Sequence, residues 1–109
     1  MDTKALSDFI VKHSVFQRTL DGFWIYIKNW KLEDPEDFET TWKDVDFGLL
    51  KVVLEKVSLA INYRFDAPIE YVQAYASIVR DDEEIAVYHS LFNLDGTDND
   101  DVLSFTVFE

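Results

Sequence analysis

Between residues 57 and 65 apolar side chains take every second position: Val57, Leu59, Ile61, Tyr63 and Phe65 alternate with Ser58, Ala60, Asn62 and Arg64. A period of two marks a strand with one face in a core and the other towards solvent. Asp66, Ala67 and Pro68 interrupt the pattern. Three further β-prone runs follow, at 69–80, 85–94 and 102–108, separated by the charged turn Asp81, Asp82, Glu83, Glu84 and by a loop over 95–101. The second half of the chain therefore reads as an antiparallel meander.

The N-terminal half is organised differently. Leu6, Phe9, Ile10 and His13 fall at i, i+3, i+4 and i+7, one face of a helix over about 3–13, with Asp2 or Thr3 as its N-cap. Two β-prone runs, 15–20 and 23–31, flank Asp21-Gly22. That dipeptide supplies the positive φ angles of a type I′ turn, so a hairpin is expected here. Its second strand would place Phe23, Ile25 and Ile27 on one face and Trp24, Tyr26 and Trp30 on the other. Asp34-Pro35-Glu36-Asp37 is a helix start, with Pro at the first position and acids in the first turn. Such a helix would turn Phe38 and Trp42 inward. The run 47–56 fits either period; it reads as a strand with a bulge near Glu55, with a helix as the alternative.

Together these elements predict an α+β fold, with an N-terminal helix packed on a mainly antiparallel β-meander of five to six strands. The 109 residues form a single domain, 1–109, with no repeat or linker. If Arg80 lies opposite Ile85, one face of the meander gathers Val72, Ala74, Ala76, Ile78, Val87, His89 and Leu91. The other then gathers Tyr71, Gln73, Tyr75, Ser77, Val79, Tyr88, Ser90 and Phe92. A slip of one residue would mix the two sets.

Charge changes the picture more than any motif. Asp and Glu number 22 against 10 Lys and Arg, a net of −12. The first 32 residues are slightly basic, so the acidity belongs to the remainder. Such a field repels phosphate backbones and anionic lipid and attracts basic proteins. Nucleic acid and membranes are therefore not expected partners. No apolar run approaches the length needed to span a bilayer, no secretory signal follows Met1, and Cys is absent, which together lead to an expected cytoplasmic location.

Candidate chemistry is sparse. The loop Asp95-Gly96-Thr97-Asp98-Asn99-Asp100-Asp101 lacks the Gly and Glu spacing of an EF-hand. There is no H-E-x-x-H, P-loop, G-x-G-x-x-G or G-x-S-x-G motif. No catalytic residue, metal or cofactor is expected. Successive turns of a meander alternate ends, so Asp66 shares one end with Asp95, Asp98, Asp100 and Asp101. These carboxylates, with the aromatic anchors Tyr71, Tyr75, Tyr88, Trp24 and Trp30, are the expected partner-binding residues. The expected function is a small acidic, non-enzymatic protein-binding module, such as an inhibitor or immunity-type protein that neutralises a basic partner. The alternative is a small-molecule-binding or enzymatic α+β domain with a pocket between helix and sheet, lined by His89, Tyr71 or Tyr75. A homo-oligomer joined through the Tyr and Trp surface is a third expectation.

Overall fold

The computed structural model describes residues 2–106. Three helices, α1 (Thr3–Lys12), α2 (Val15–Glu33) and α3 (Pro35–Thr41), precede a short 3-10 turn at Phe47–Leu49. Four strands follow: β1 (Lys51–Asn62), β2 (Ile69–Arg80), β3 (Glu83–Phe92) and β4 (Asp98–Phe105). The strands form one antiparallel sheet in the order β1-β2-β3-β4. The fold is α+β, as the periodicity implies, with four strands rather than five to six.

The difference lies in α2. The expected hairpin across Asp21-Gly22 is a single 19-residue helix. Val15, Thr19, Phe23 and Ile27 are its buried positions, spaced by four, a helical stripe that a hairpin would have split between two faces. Asp-Gly is a local preference of small energy. Burying this stripe against the sheet outweighs it, because most helical stability in proteins comes from an amphipathic face packing on its neighbours. Thr19 makes the stripe continuous by donating its hydroxyl to the Val15 carbonyl at 2.8 Å, so its own polar atom is satisfied within the core.

The other helices keep their sequence signals. Asp2 caps α1, its carboxylate accepting from the Ala5 N–H at 2.8 Å. Asp34 caps α3 by accepting from the Asp37 N–H, and Pro35 opens that helix. Trp42 is buried and Phe38 packs beside it. The run 47–56 divides between the 3-10 turn and β1, whose register shifts between Leu54 and Lys56, at the expected bulge. β1 ends at Asn62, so Tyr63 and Phe65 lie outside the strand, exposed at the hairpin tip. The last run corresponds to β4; residues 107 and 108 lie outside the described residues.

The register of β2 and β3 corrects the expected face assignment. Asp81 and Asp82 both have positive φ and form a two-residue turn, which sets Arg80 opposite Glu83 rather than Ile85. The pairing then shifts, so that Val79 faces Glu84 and Ile78 faces Ala86, with Ile85 as the extra residue. In consequence Ala76 pairs with Tyr88, Ala74 with Ser90 and Val72 with Phe92. Tyr88, Ser90 and Phe92 belong to the small aliphatic face of β2, whereas Val87, His89 and Leu91 lie with Tyr71 and Tyr75.

All three helices pack on that first face. One apolar cluster joins Phe23, Ile27, Trp42 and Leu50 to Ala76, Ile78, Ala86 and Tyr88. A second joins Phe9 and Val15 to Val72, Ala74 and Phe92. The alanines of β2 leave room for the large rings of α2 and β3, alternating small with large as close packing requires. Among the described residues no element packs on the opposite face of the sheet. No helix of the described residues is long and apolar enough to cross a membrane.

Candidate functional site

The helix-bearing side of the sheet is not fully sealed. Between α2 and the edge strand β4 runs a cleft of about 520 Å³ lined by Arg18, Asp21, Gly22, Ile25, Tyr88 and Ser90 and by the four residues 98–101. A second hollow of about 540 Å³ adjoins it at Ile25 and Asp101 and continues past Tyr26, Asn29 and Trp30 to Glu33, Asp34 and Asp37. Together they make one trough along α2. Six carboxylates line it against a single guanidinium, while Asp100, opposite Leu91, belongs by register to the other face and borders the cleft only at the edge strand.

Helical spacing creates the trough. Arg18, Gly22, Ile25 and Asn29 follow at i, i+4, i+7 and i+11, a stripe beside the buried one. Gly22 is a point of close approach: a Cβ there would stand 2.7 Å from the Tyr88 hydroxyl oxygen. Tyr88 reaches this spot from β3 with its ring held edge-on by Phe23 and Tyr26 at centroid distances of 5.8 and 6.1 Å. Its hydroxyl donates to Asp101 Oδ2 at 2.6 Å. Burial first, and then the Asp101 carboxylate, raises the Tyr88 pKa far above the usual phenol value. Tyr88 therefore remains a protonated donor at ordinary pH. It can orient Asp101 but cannot act as a base.

At the head of the trough Arg18 ties three segments together. Its Nη1 donates to the carbonyls of Gly96 at 2.8 Å and His13 at 3.1 Å, and its Nη2 meets Asp98 Oδ1 at 2.6 Å. The guanidinium also lies 4.7 Å from the centre of the Phe92 ring. The cation of the trough is thus engaged through both of its Nη atoms. At the foot, the Trp30 indole donates to Asp37 Oδ2 at 2.9 Å and exposes an aromatic edge.

The expected site residues separate into three groups. Asp98, Asp101, Tyr88 and Trp30 meet in the trough, and Asp100 borders it on the edge strand with its register position on the other face. Asp95 stands outside it as a turn former: its carboxylate accepts from the Thr97 hydroxyl and N–H, and these bonds hold its pKa below the usual carboxylate range. Asp66 sits at the β1–β2 tip, which overshoots β3, since Phe92 pairs with Val72 while β2 begins at Ile69. Trp24 is 39% exposed on α2. Tyr71 and Tyr75 lie on the opposite face of the sheet, as does His89, so none of these three lines a pocket between helix and sheet. There Gln73 Nε2 donates to His89 Nδ1 at 2.9 Å, and Lys56 Nζ lies 4.6 Å from the centre of the Tyr75 ring.

Arg18, Asp21, Gly22, Ile25 and the acids of α2 and α3 were not foreseen as site residues. The signal that finds them is the four-residue spacing of Val15, Thr19, Phe23 and Ile27, which makes 15–33 a helix and sets its neighbours on one stripe. Among the described residues no three His, Asp or Glu side chains converge closely enough to hold a metal ion. Compared with family models, curated proteins and solved structures, the chain matches none.

Proposed function

We propose that this protein is a small acidic binding module that takes a cationic segment of a protein partner into the trough between α2 and β4. The observation that carries this reading is the charge of the trough: six carboxylates and one guanidinium already bound to Asp98. Lys or Arg side chains entering it would meet uncompensated negative potential. Ile25, 56% exposed midway along the trough, and the Trp30 edge offer apolar contact beside the charges. Charge of this kind speeds encounter and selects partners, while aromatic and aliphatic anchors hold them. An inhibitor or immunity-type protein that neutralises a basic partner is one form of this activity. His89, Tyr71 and Tyr75, expected to line the pocket of a small-molecule-binding or enzymatic domain, lie on the other face of the sheet, so the trough supports the protein-binding reading instead.

The test is titration with a synthetic Lys- and Leu-containing peptide, followed by amide and indole NMR. The expected result is a low-salt shift of the Ile25 amide and the Trp30 indole, diminished by Glu33→Gln with Asp21→Asn and suppressed by added salt. Shifts spread evenly over the acidic surface, or none at low salt, would reject it.

A further inference from the structure

The sheet has a second broad surface that the trough does not use. It carries Tyr71, Tyr75 and Val79 from β2, Val87, His89 and Leu91 from β3, Val53 from β1 and Val102 from β4, in the observed register. Val53 and Val102 are each 43% exposed. A β-sheet in a two-layer domain normally buries one face and turns a polar face to water. Here the uncovered face alternates as the covered one does, and its centre is aliphatic and aromatic.

We propose that this face packs against the same face of a second copy of the chain, giving a two-fold dimer with the acidic trough of each copy directed outward. Three observations favour a copy over an unrelated partner. The first is charge. At the paired positions Lys51 and Lys56 on β1 stand against Glu84 on β3 and Asp100 on β4, with Glu55 exposed at the β1 bulge, so the face carries little of the protein's net −12. A basic partner finds little attraction there, and the contact itself adds little like-charge repulsion to that of the two net charges.

The second is that the polar groups of the face are already paired within the sheet. Gln73 binds His89, and Ser77 donates to Glu84 at 2.8 Å while Thr106 donates to the other Glu84 oxygen at 3.1 Å. Covering groups that already have partners removes much of the desolvation cost of burial. The Tyr71 and Tyr75 hydroxyls remain as donors at the interface, where Tyr is favoured.

The third is area. Strands of about ten residues and four strands' width give a face of roughly 600 Å² in projection, from a rise of about 3.3 Å per residue and a spacing of about 4.8 Å. Side-chain relief raises the accessible area towards the roughly 800 Å² per partner of a stable interface. A two-fold axis parallel to the strands lays β1 of one copy across β4 of the other, bringing the basic edge over the acidic one. The sheets would then stack at about 10 Å, as in a β-sandwich.

Sedimentation equilibrium from micromolar to millimolar concentration tests this. The expected mass rises from 12.8 kDa towards twice that value, and added salt does not reverse it. Val53→Glu with Val102→Glu, both at exposed positions, should raise the dissociation constant at least about tenfold without changing the circular dichroism of the dilute protein. In the unmodified protein the same concentration series should shift the Val87 and Leu91 methyl resonances and leave Ile25 unmoved. A constant 12.8 kDa would overturn the proposal. So would a dimer whose concentration-dependent shifts map to the trough or to the tip at Tyr63 and Phe65. Salt-sensitive peptide binding in a protein that stays monomeric would reject this inference and leave the trough reading standing.

Discussion

Gly22 and Tyr88 occupy the same space: the Tyr88 hydroxyl oxygen lies 2.7 Å from where a side chain on Gly22 would begin. The residue that looks like a turn former is a close-approach glycine in mid-helix, and it is what lets the Tyr88 hydroxyl reach Asp101.

This contact makes a signed prediction. In an unencumbered helix Gly→Ala gains about 1 kcal/mol. Gly22→Ala is expected to lose stability instead, by about 1–2 kcal/mol net, because overpacking a fixed ring costs about 1–3 kcal/mol. Tyr88 cannot swing aside without breaking its bond to Asp101 and its contacts with Phe23 and Tyr26. In Tyr88→Phe the nearest ring carbon is 3.6 Å away, an ordinary contact, so the same Gly22→Ala change should become neutral or stabilising. Denaturant melts of the four proteins of this double-mutant cycle measure the reversal; equal effects in both backgrounds would refute it.

Gly96 carries a different constraint. Its φ is +91°, and a Cβ there would fall inside the His13 imidazole. Gly96→Ala therefore combines backbone strain of about 1–2 kcal/mol with displacement of the end of α1. His13→Ala relieves the overlap but not the dihedral. Thermal melts should show Gly96→Ala strongly destabilised, and only partly recovered in the His13→Ala background.

Arg18 offers a test of which of its bonds matter. Asp98 is 84% exposed on its side chain, so that ion pair is screened by water, while the carbonyls of Gly96 and His13 have only Arg18 as a side-chain donor. Arg18→Ala is expected to cost about 1.5–3 kcal/mol, the range for hydrogen bonds to charged groups. Asp98→Ala should cost under about 1 kcal/mol. Chemical denaturation distinguishes the two; equal losses would mean that the ion pair carries the site.

His89 predicts a pH dependence. Burial, and then the Lys56 charge, lower its pKa below the ordinary 6.5. Between the lowered value and 6.5 the unfolded chain binds the proton and the folded chain does not, so stability rises with pH across that window. The contribution is complete above 6.5 and is lost as pH falls through the folded-state value. Protonating Nδ1 would also set it against the Gln73 amide donor. His89→Gln should flatten this segment of a stability-against-pH curve; an unchanged slope would show that other groups produce it.

Much of this protein was legible along the chain. Asp2 and Asp34-Pro35 marked helix starts because capping is a contact between residues three apart, and it needs no tertiary partner. The alternation in β1, β2 and β3 marked strands, and the shift near Glu55 followed from the apolar pattern changing phase. What the chain could not reveal depended on partners distant in sequence. Asp21-Gly22 carried a turn signal, and only packing against the sheet made it helix. Asp81 and Asp82 close a two-residue turn, and the extra residue Ile85 beyond it moved Tyr88 into the core beside Gly22 and sent His89 to the far face. Local preferences of about 1 kcal/mol marked the strands and the starts of α1 and α3. The joint burial of Phe23, Ile27, Tyr88 and Phe92 decided their register and the trough they leave open.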